Sequence, residues 1–521
     1  WSSLVGSEMC IRDSNISMLE VPINRITTLN NDQPNMDAPY VLYWMIAFRR
    51  VNYNFSLQRA IEWANKLSKP LLIFEPMTID YPMASIRFHK FAIEGMKDIQ
   101  KQTEKSKALY FPYVEERKGV ADSLLIELAK NAAVVVTDDY PTYFVPQMTA
   151  DAKGSIQTTY ELVDSNGLLP IRIADKEYVR AHDFRRFMHK NIEDFLVEVP
   201  EANPLEYLNL KFEEKILEPI YKKYELIDFN KINVQDFLDN LNVDKSVEPS
   251  DVVGGYNAAK SRLDLFAKKG FNDYAKLRSH PSEDASSQLS PYFHFGHIST
   301  YEVFEKIINN ESWSVENIDP NFVGRREGWW GGSANLESFF DELITWRELG
   351  YHTCVKRANY DQYQSLPDWA VKTLDEHAND EREYIYDLSE FTNANTHDEI
   401  WNAAQNQLKT EGRIHNYLRM LWGKKILEWT PNPQIALSYL IDLNDRFALD
   451  GRDPNSYSGV FWILGRYDRA WGPERPIYGK IRYMTSKSTA TKFNLKPYLE
   501  KWSIGSEAVS YTHLRAHETG P

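Results

Sequence analysis

Residues able to grip a flat, charged ligand crowd into one stretch, 411–482. In the run from Glu411 to Trp429, helical spacing puts Trp422 and Trp429 seven residues apart on one face. Arg419 lies one turn before Trp422 on the same side. Asn416, Arg419 and Met420 fall within one turn of each other. A guanidinium sharing a face with two indoles suits stacking and charge pairing against a planar ring; the plainer reading is that tryptophans at helical spacing pack a core. Asn444 and Asp450 follow a break at Pro431 and Pro433 and a further helix, which Asp450-Gly451 is expected to end with the glycine as C-cap. Residues 450–479 hold five Gly and three Pro beside Tyr457, Phe461, Trp462, Tyr467, Trp471 and Tyr478. That mixture predicts an irregular aromatic loop over a helical base, a common way to build a binding mouth.

Three more groupings carry chemistry. Glu342 and Trp346 are four apart, so a carboxylate and an indole share a helical face and could grip a polar aromatic ligand; a surface Glu over a core Trp is the alternative. Ser286-Ser287-Gln288-Leu289-Ser290-Pro291 reads as a helix start, with Ser290 as N-cap and Pro291 at the first helical position. Such a start presents N–H groups and the positive dipole end to a phosphate, or is simply a cap. His294 and His297 have no Cys or acidic cluster beside them, so no metal site is expected. From Gly479 to Trp502 the chain carries Lys480, Arg482, Lys487, Lys492, Lys496 and Lys501 against one acid, Glu500, which suits a phosphate backbone or a solvated face.

The elements that must position these groups divide the chain in two. Val41–Ile46, Leu71–Phe74, Ala108–Phe111 and Ala133–Val136 read as strands, alternating with helices over Leu57–Leu67, Phe88–Ile99 and Val120–Ala129. This predicts a doubly wound parallel sheet, an α/β domain over 37–180. It contains neither GxGxxG nor GxxxxGK[ST]. Residues 181–250 read as a charged helical linker, and 251–502 as an all-α domain. The stretch 309–335, with Trp329-Trp330-Gly331-Gly332, breaks the helical pattern and reads as a surface insertion. Residues 1–14 and 508–521 show no sustained period and read as non-native flanks; the first is not a signal peptide.

Length and composition set outer bounds. The 521 residues suffice for two or three domains, and aromatics are plentiful at 13%, with 14 Trp and 30 Tyr. Two cysteines, Cys10 and Cys354, exclude a disulfide framework and point to a reducing compartment. No run of eighteen apolar residues occurs, so no membrane span is expected. A net charge of −14 excludes a uniformly basic nucleic-acid binder but not a local basic patch.

Taken together, these residues resemble the class II cyclobutane pyrimidine dimer photolyases of the photolyase/cryptochrome superfamily. The likeness covers roughly 37–502 and is most specific in 286–299, 338–348 and 411–484. Tyr43-Trp44-Met45, followed by Arg49-Arg50 and Asn54, is also similar to the family's start. Leu421, where relatives often carry Tyr, and the 309–335 insertion depart from the pattern.

The resemblance implies an α/β antenna domain joined to an all-α FAD-binding domain. It implies light-driven repair of cyclobutane pyrimidine dimers in DNA, by electron transfer from excited reduced FAD to a flipped-out dimer. Tyr274, Ser286, Ser287, Gln288, Leu289 and Ser290 match the phosphate and ribityl contacts. Asn416 and Arg419 match isoalloxazine neighbours, with Arg419 paired to Asp450. Asn444 matches the group facing flavin N5, and Gly451 and Arg452 the rest of the flavin loop. Trp422 matches the proximal electron donor, Trp401 the next carrier and Trp429 a further member. Glu342, Trp346, Met420 and Trp462 match the lesion pocket, with Arg278 and Arg482 on the DNA. A deazaflavin or folate antenna, damaged DNA as partner, a monomer and a cytoplasmic location (on the nucleoid in a prokaryote) are implied as well. A light-sensing cryptochrome shares the fold and flavin but does not need Glu342, Trp346 and Trp462 together. A helical nucleic-acid-binding module would carry no chromophore. A (6-4) photolyase would need histidine-centred chemistry with no counterpart beside this pocket.

Overall fold

The computed structural model describes residues 20–283 and 285–503; the flanks 1–14 and 508–521 lie outside them. Six strands form one sheet: β1 (Ile26–Thr28), β2 (Tyr40–Trp44), β3 (Leu71–Met77), β4 (Leu109–Val114), β5 (Ala132–Asp138) and β6 (Thr159–Val163), in the order β1-β6-β5-β2-β3-β4. All neighbours pair in parallel except β1, which runs antiparallel on β6. The inner strands are apolar on both sides because helices cover both faces. Val41 and Tyr43 pack with α1 (Phe55–Leu67) and α2 (Ile86–Thr103); Leu42 and Trp44 pack with α3 (Val120–Lys130). The doubly wound fold expected from the sequence is present, and the sheet also takes in β1 and β6, which periodicity did not reveal.

Strand order reverses between β2 and β5, and a crevice opens at the strands' carboxyl ends there, as open α/β sheets do. Asp138, the last residue of β5, shapes it by accepting the N–H groups of Ile46, Ala47 and Phe48 at 2.8–2.9 Å. Asn54 caps α1, accepting from the N–H groups of Ser56 and Leu57. Arg50, fully buried, donates to the carbonyls of Ser165 and Gly296, both at 3.0 Å, and so pins the sheet to the helical half. At Gly296 φ is 71°, and a Cβ would stand 1.9 Å from the Ala47 carbonyl oxygen; only glycine lets the two segments touch.

The helical half holds Tyr256–Leu265, Thr300–Glu311, Arg347–Lys356, Glu399–Glu411, Asn416–Glu428, Pro433–Phe447 and Pro454–Ile463, among shorter elements. Glu348 clamps it to the sheet domain by accepting the N–H groups of Leu168 and Leu169 at 2.6 and 3.0 Å. No described helix is long and apolar enough to cross a membrane.

Four local expectations change. The helix before Asp450 ends at Phe447 with Ala448 as cap, so Gly451 is not its C-cap. The aromatic stretch after it is not wholly irregular: Asp453 and Pro454 start a ten-residue helix, Pro454–Ile463, with the Asp453 carboxylate accepting the Asn455 N–H at 2.8 Å. Ser290 is the first residue of a short helix, Ser290–His294, rather than its cap, and no side chain caps that end. The 309–335 insertion is not a surface excursion alone: Trp313, Trp329 and Trp330 are buried, and His189 of helix α4 (Ala181–Asn191) stacks on Trp329 with ring centres 3.9 Å apart. Desolvation of the indoles outweighed the polar signals around them.

Candidate functional site

Two helices meet to form the centre of the helical half. Asp398 caps Glu399–Glu411, accepting the Trp401 N–H at 2.9 Å, and Gly412 ends that helix in the left-handed region at φ 72°. His415 then caps Asn416–Glu428, accepting the Tyr417 N–H at 3.3 Å. The turn between them brings Trp401 beside Trp422: their rings are 6.3 Å apart and within 6° of parallel. Trp429 meets Trp401 edge to face at 6.2 Å. All three are at most 3% exposed. Each of the two inner indoles has its N–H satisfied, Trp401 by the Trp422 carbonyl at 3.0 Å and Trp422 by the Gln405 side chain at 2.9 Å. A row of buried π systems at this spacing is an arrangement through which single electrons can pass.

On the same helix Arg419 meets Asp450 at 3.2 Å, half-buried, and the pair ties the 416–428 helix to the loop after Phe447. Gly451 lets that loop fold back: an added Cβ would stand 2.8 Å from the Asn444 carbonyl oxygen and 3.0 Å from that of Ala448. Asn444 is buried, its amide donating to Ser456 and, at 3.0 Å, to Asp445. Asp445 organises this corner, also accepting the Arg452 N–H at 3.0 Å and the Tyr457 hydroxyl at 3.3 Å. Burial raises its carboxyl above the usual range. Sequence reasoning passed over Asp445; its place beside Asn444, just before the break, was the available signal. Asn416 is exposed in the first turn. Arg452 turns away from Arg419: its guanidinium lies 3.6 Å over the Phe88 ring of α2, and it lines the crevice at the sheet's switch point.

The 286–294 segment approaches the same corner. Arg262 straps it by donating to the carbonyls of Ser286 and Ser287, both at 2.9 Å. Gln288 takes φ 56°, a left-handed kink unusual for its type, and Leu289 is fully buried. His294 reaches Asp453 at 3.8 Å, and the Tyr140 and Tyr351 hydroxyls also donate to that carboxylate. Tyr274 is buried against Phe266 and Phe339, with the Arg278 guanidinium over its ring at 5.7 Å.

Arg278 in turn pairs with Glu342 at 2.6 Å. Glu342 and Trp346 sit on a π-helical turn, Asp341–Trp346, a wide turn often found at functional sites. Trp346 meets Tyr467 edge to face at 6.4 Å. A cavity of about 510 Å³ opens next to the Arg419 helix, lined by Met420, Trp462, Trp471, Arg482, Tyr417 and Lys492 among others. That size matches ordinary small-ligand sites. Arg482 is braced by Asp468 at 3.0 Å and lies over Trp471 and Trp462 at 4.2 and 5.2 Å. Glu342 and Trp346 are not among the residues lining this cavity. Lys424, which the sequence reading missed, is buried under Trp462: its ammonium donates to the Ile463 carbonyl, lies 5.6 Å from the indole, and is pushed down by desolvation to about 7. Lys487, Lys492 and Lys496 are exposed, and Lys492 lines the same cavity.

The fold is thus a doubly wound sheet leaning on a helical half, and one helix of that half carries both the start of an indole row and one partner of an arginine–aspartate pair. No protein-family model matches the chain. It is 34% identical over 478 residues to the deoxyribodipyrimidine photo-lyase of Methanothermobacter thermautotrophicus, covering 92% of this chain and 97% of that one. It is 31% identical over 512 residues to that of Potorous tridactylus, covering 96% and 89%. In fold it is similar to an archaeal photolyase from Sulfolobus tokodaii solved with two FAD molecules, with TM-score 0.60, 15% identity, and 89% and 90% of the two chains covered. The chain belongs to the deoxyribodipyrimidine photo-lyase family.

Proposed function

We propose that this chain is a class II photolyase that repairs cyclobutane pyrimidine dimers in DNA with light, using FAD. The observation that carries the reading is the row Trp422–Trp401–Trp429, which starts on the helix that also bears Arg419 and Met420. Family membership supports the enzyme class. The class II assignment rests on the residue-by-residue likeness in 286–299, 338–348 and 411–484.

The donor set fits a flavin dinucleotide. Hydroxyls at Ser286, Ser287 and Ser290 stand on a kinked loop strapped by Arg262, suited to phosphate and ribityl oxygens. Arg419 and Asp450 present paired charges to a ring system, and Asn444 adds a buried amide. Gly451 keeps the loop close enough for them to share one ligand. Reduced FAD, when bound, supplies a light-excited one-electron donor. Trp422, Trp401 and Trp429 conduct the electron that restores the cofactor's reduced form. Trp462, Trp346 and Met420 take the flipped dimer by stacking and packing, a damaged pair being the least costly to unstack. Glu342, held by Arg278, accepts a hydrogen bond from a pyrimidine ring N–H, and the Arg278 guanidinium beside it favours the added negative charge. Arg482, Lys487 and Lys492 take the DNA backbone.

The crevice at the switch point of the sheet, lined by Ile46, Tyr81, Tyr140, Phe144, Met148 and Arg452 among others, is where we place one ring of an antenna chromophore, a deazaflavin or a folate; at about 110 Å³ it takes part of such a ligand and leaves the rest at the surface. The test is an absorption spectrum of the purified protein followed by blue-light repair of a thymine-dimer oligonucleotide. A colourless preparation, or a flavin-loaded one without repair, refutes the reading.

A further inference from the structure

One buried charge beside the cavity has no counterion. Lys424 is 1% exposed, and among the described residues no carboxylate forms an ion pair with its ammonium. Its hydrogen-bond partner is the Ile463 carbonyl, at the end of the helix Pro454–Ile463, where the negative end of the helix dipole favours a cation. The ammonium lies 5.6 Å from the centre of the Trp462 ring. Trp462 lines the cavity of about 510 Å³ and Lys424 does not, so the indole stands between the charge and the cavity.

The charged groups around this lysine are few. From the loop after Ile463, Asp468 and Arg482 act on it in opposite senses, and they pair with each other at 3.0 Å. On its own helix Lys425 pairs with Glu428. The Tyr478 hydroxyl lies 2.9 Å from the Lys424 backbone carbonyl and 3.1 Å from the Glu428 carboxylate. Desolvation is the largest influence and pushes the ammonium down to about 7.

Burying an unpaired cation is unfavourable. A glutamine would cap the Ile463 carbonyl, and a methionine would fill the same space, without that penalty. What both lack is positive charge behind the wall of a cavity that a ligand empties of water, where charge acts strongly.

We propose that Lys424 is a positioning residue of the lesion pocket that acts through Trp462: its ammonium places positive charge behind the indole and stabilises the dimer while the dimer carries an extra electron. The inference rests on the reading of Trp462 as a wall of that pocket. One electron passes from light-excited reduced flavin to the dimer. The two carbon–carbon bonds joining the pyrimidines break, and the electron returns to the flavin. Lys424 gives up neither proton nor electron. Its charge lowers the energy of the dimer radical anion relative to the neutral dimer, which favours the transfer that starts ring opening.

The test is the repair quantum yield of the FAD-loaded, pre-reduced full chain on a saturating thymine-dimer oligonucleotide, from about pH 6 to about pH 10. Dark binding of the same oligonucleotide, read by fluorescence anisotropy, accompanies it. The wild-type yield is expected to fall as pH rises and Lys424 loses its charge. Lys424→Met and Lys424→Gln, matched to the wild type in flavin content, are expected to lose about half the yield or more at the acid end, with the deficit shrinking toward the alkaline end. Lys424→Gln keeps a donor for the Ile463 carbonyl, so its deficit reads the charge alone, and it serves if Lys424→Met folds poorly. Dark affinity is expected to change less than the yield, because the dimer carries no added charge until light delivers the electron. A wild-type yield in Lys424→Gln, a deficit that is the same at every pH, or a loss confined to dark affinity overturns the proposal. A flavin-loaded wild type that repairs no dimer refutes the proposed function instead, whereas an active wild type matched by both variants refutes the role of Lys424 alone.

Discussion

Trp401 and Trp422 lie parallel within 6°, ring centres 6.3 Å apart, and the Trp401 indole N–H donates to the Trp422 backbone carbonyl. The hydrogen bond fixes one ring's orientation relative to the helix that carries the other. Trp422→Phe is expected to abolish photoreduction of oxidised FAD and to leave repair intact when the cofactor is reduced chemically. Flash absorption and a repair assay on dithionite-reduced protein check both halves; loss of repair in the pre-reduced variant contradicts the role.

Glu342 owes its orientation to Arg278 at 2.6 Å. Glu342→Ala is expected to lower the repair yield several-fold while FAD stays bound, because the dimer loses a hydrogen-bond partner. Arg278→Met is expected to lower the same yield less, by releasing the carboxylate. Repair quantum yield against flavin content decides, and an unchanged yield in Glu342→Ala removes that residue from the mechanism.

Gly451 is a steric requirement for the corner we assign to the flavin. In Gly451→Ala the new methyl presses on backbone oxygens of Asn444 and Ala448 at 2.8 and 3.0 Å, which cannot swing aside as a side chain can. The expected result is reduced FAD retention, read by flavin absorbance per protein, with an overall cost on the order of 1–3 kcal/mol in stability.

Lys424 links stability to pH. Its ammonium falls from an ordinary 10.5 in the unfolded chain to about 7 in the buried site. Between those values the unfolded chain binds the extra proton, so stability rises as pH goes from 7 toward 10.5 and is lost as pH falls back through the same window. Lys424→Met is expected to flatten that slope, whose ceiling is about 1.4 kcal/mol per pH unit. Denaturant titrations at several pH values between 7 and 10 measure it; an unaltered slope refutes the assignment.

Trp329, stacked on His189 at 3.9 Å, anchors the 309–335 insertion. Trp329→Ala is expected to cost about 3–5 kcal/mol, as core aromatic truncations do. Chemical denaturation reads this directly, and a loss within 0.5 kcal/mol would return the insertion to the surface role expected from its polarity.

Much of this was legible along the chain. The apolar runs at 41–46, 71–74 and 133–136 announce strands because a parallel sheet buries both faces, and that pattern is local. Trp422 and Arg419 could be placed on one helix for the same reason: three residues of separation is a property of the helix alone. Local signals misled where burial overrode them, as at Trp329-Trp330, or where a short capped helix hid among glycines and prolines, as at Pro454–Ile463.

What folding alone decided are the meetings between distant residues. Trp401 with Trp422 and Trp429, Arg419 with Asp450, Arg278 with Glu342, Lys424 with Trp462: spacing along the chain contains none of these distances. They depend on how helices cross and how loops return, which is set by the summed packing of both halves. Residue types thus determined what chemistry was available, and the tertiary structure determined which groups stand close enough to perform it.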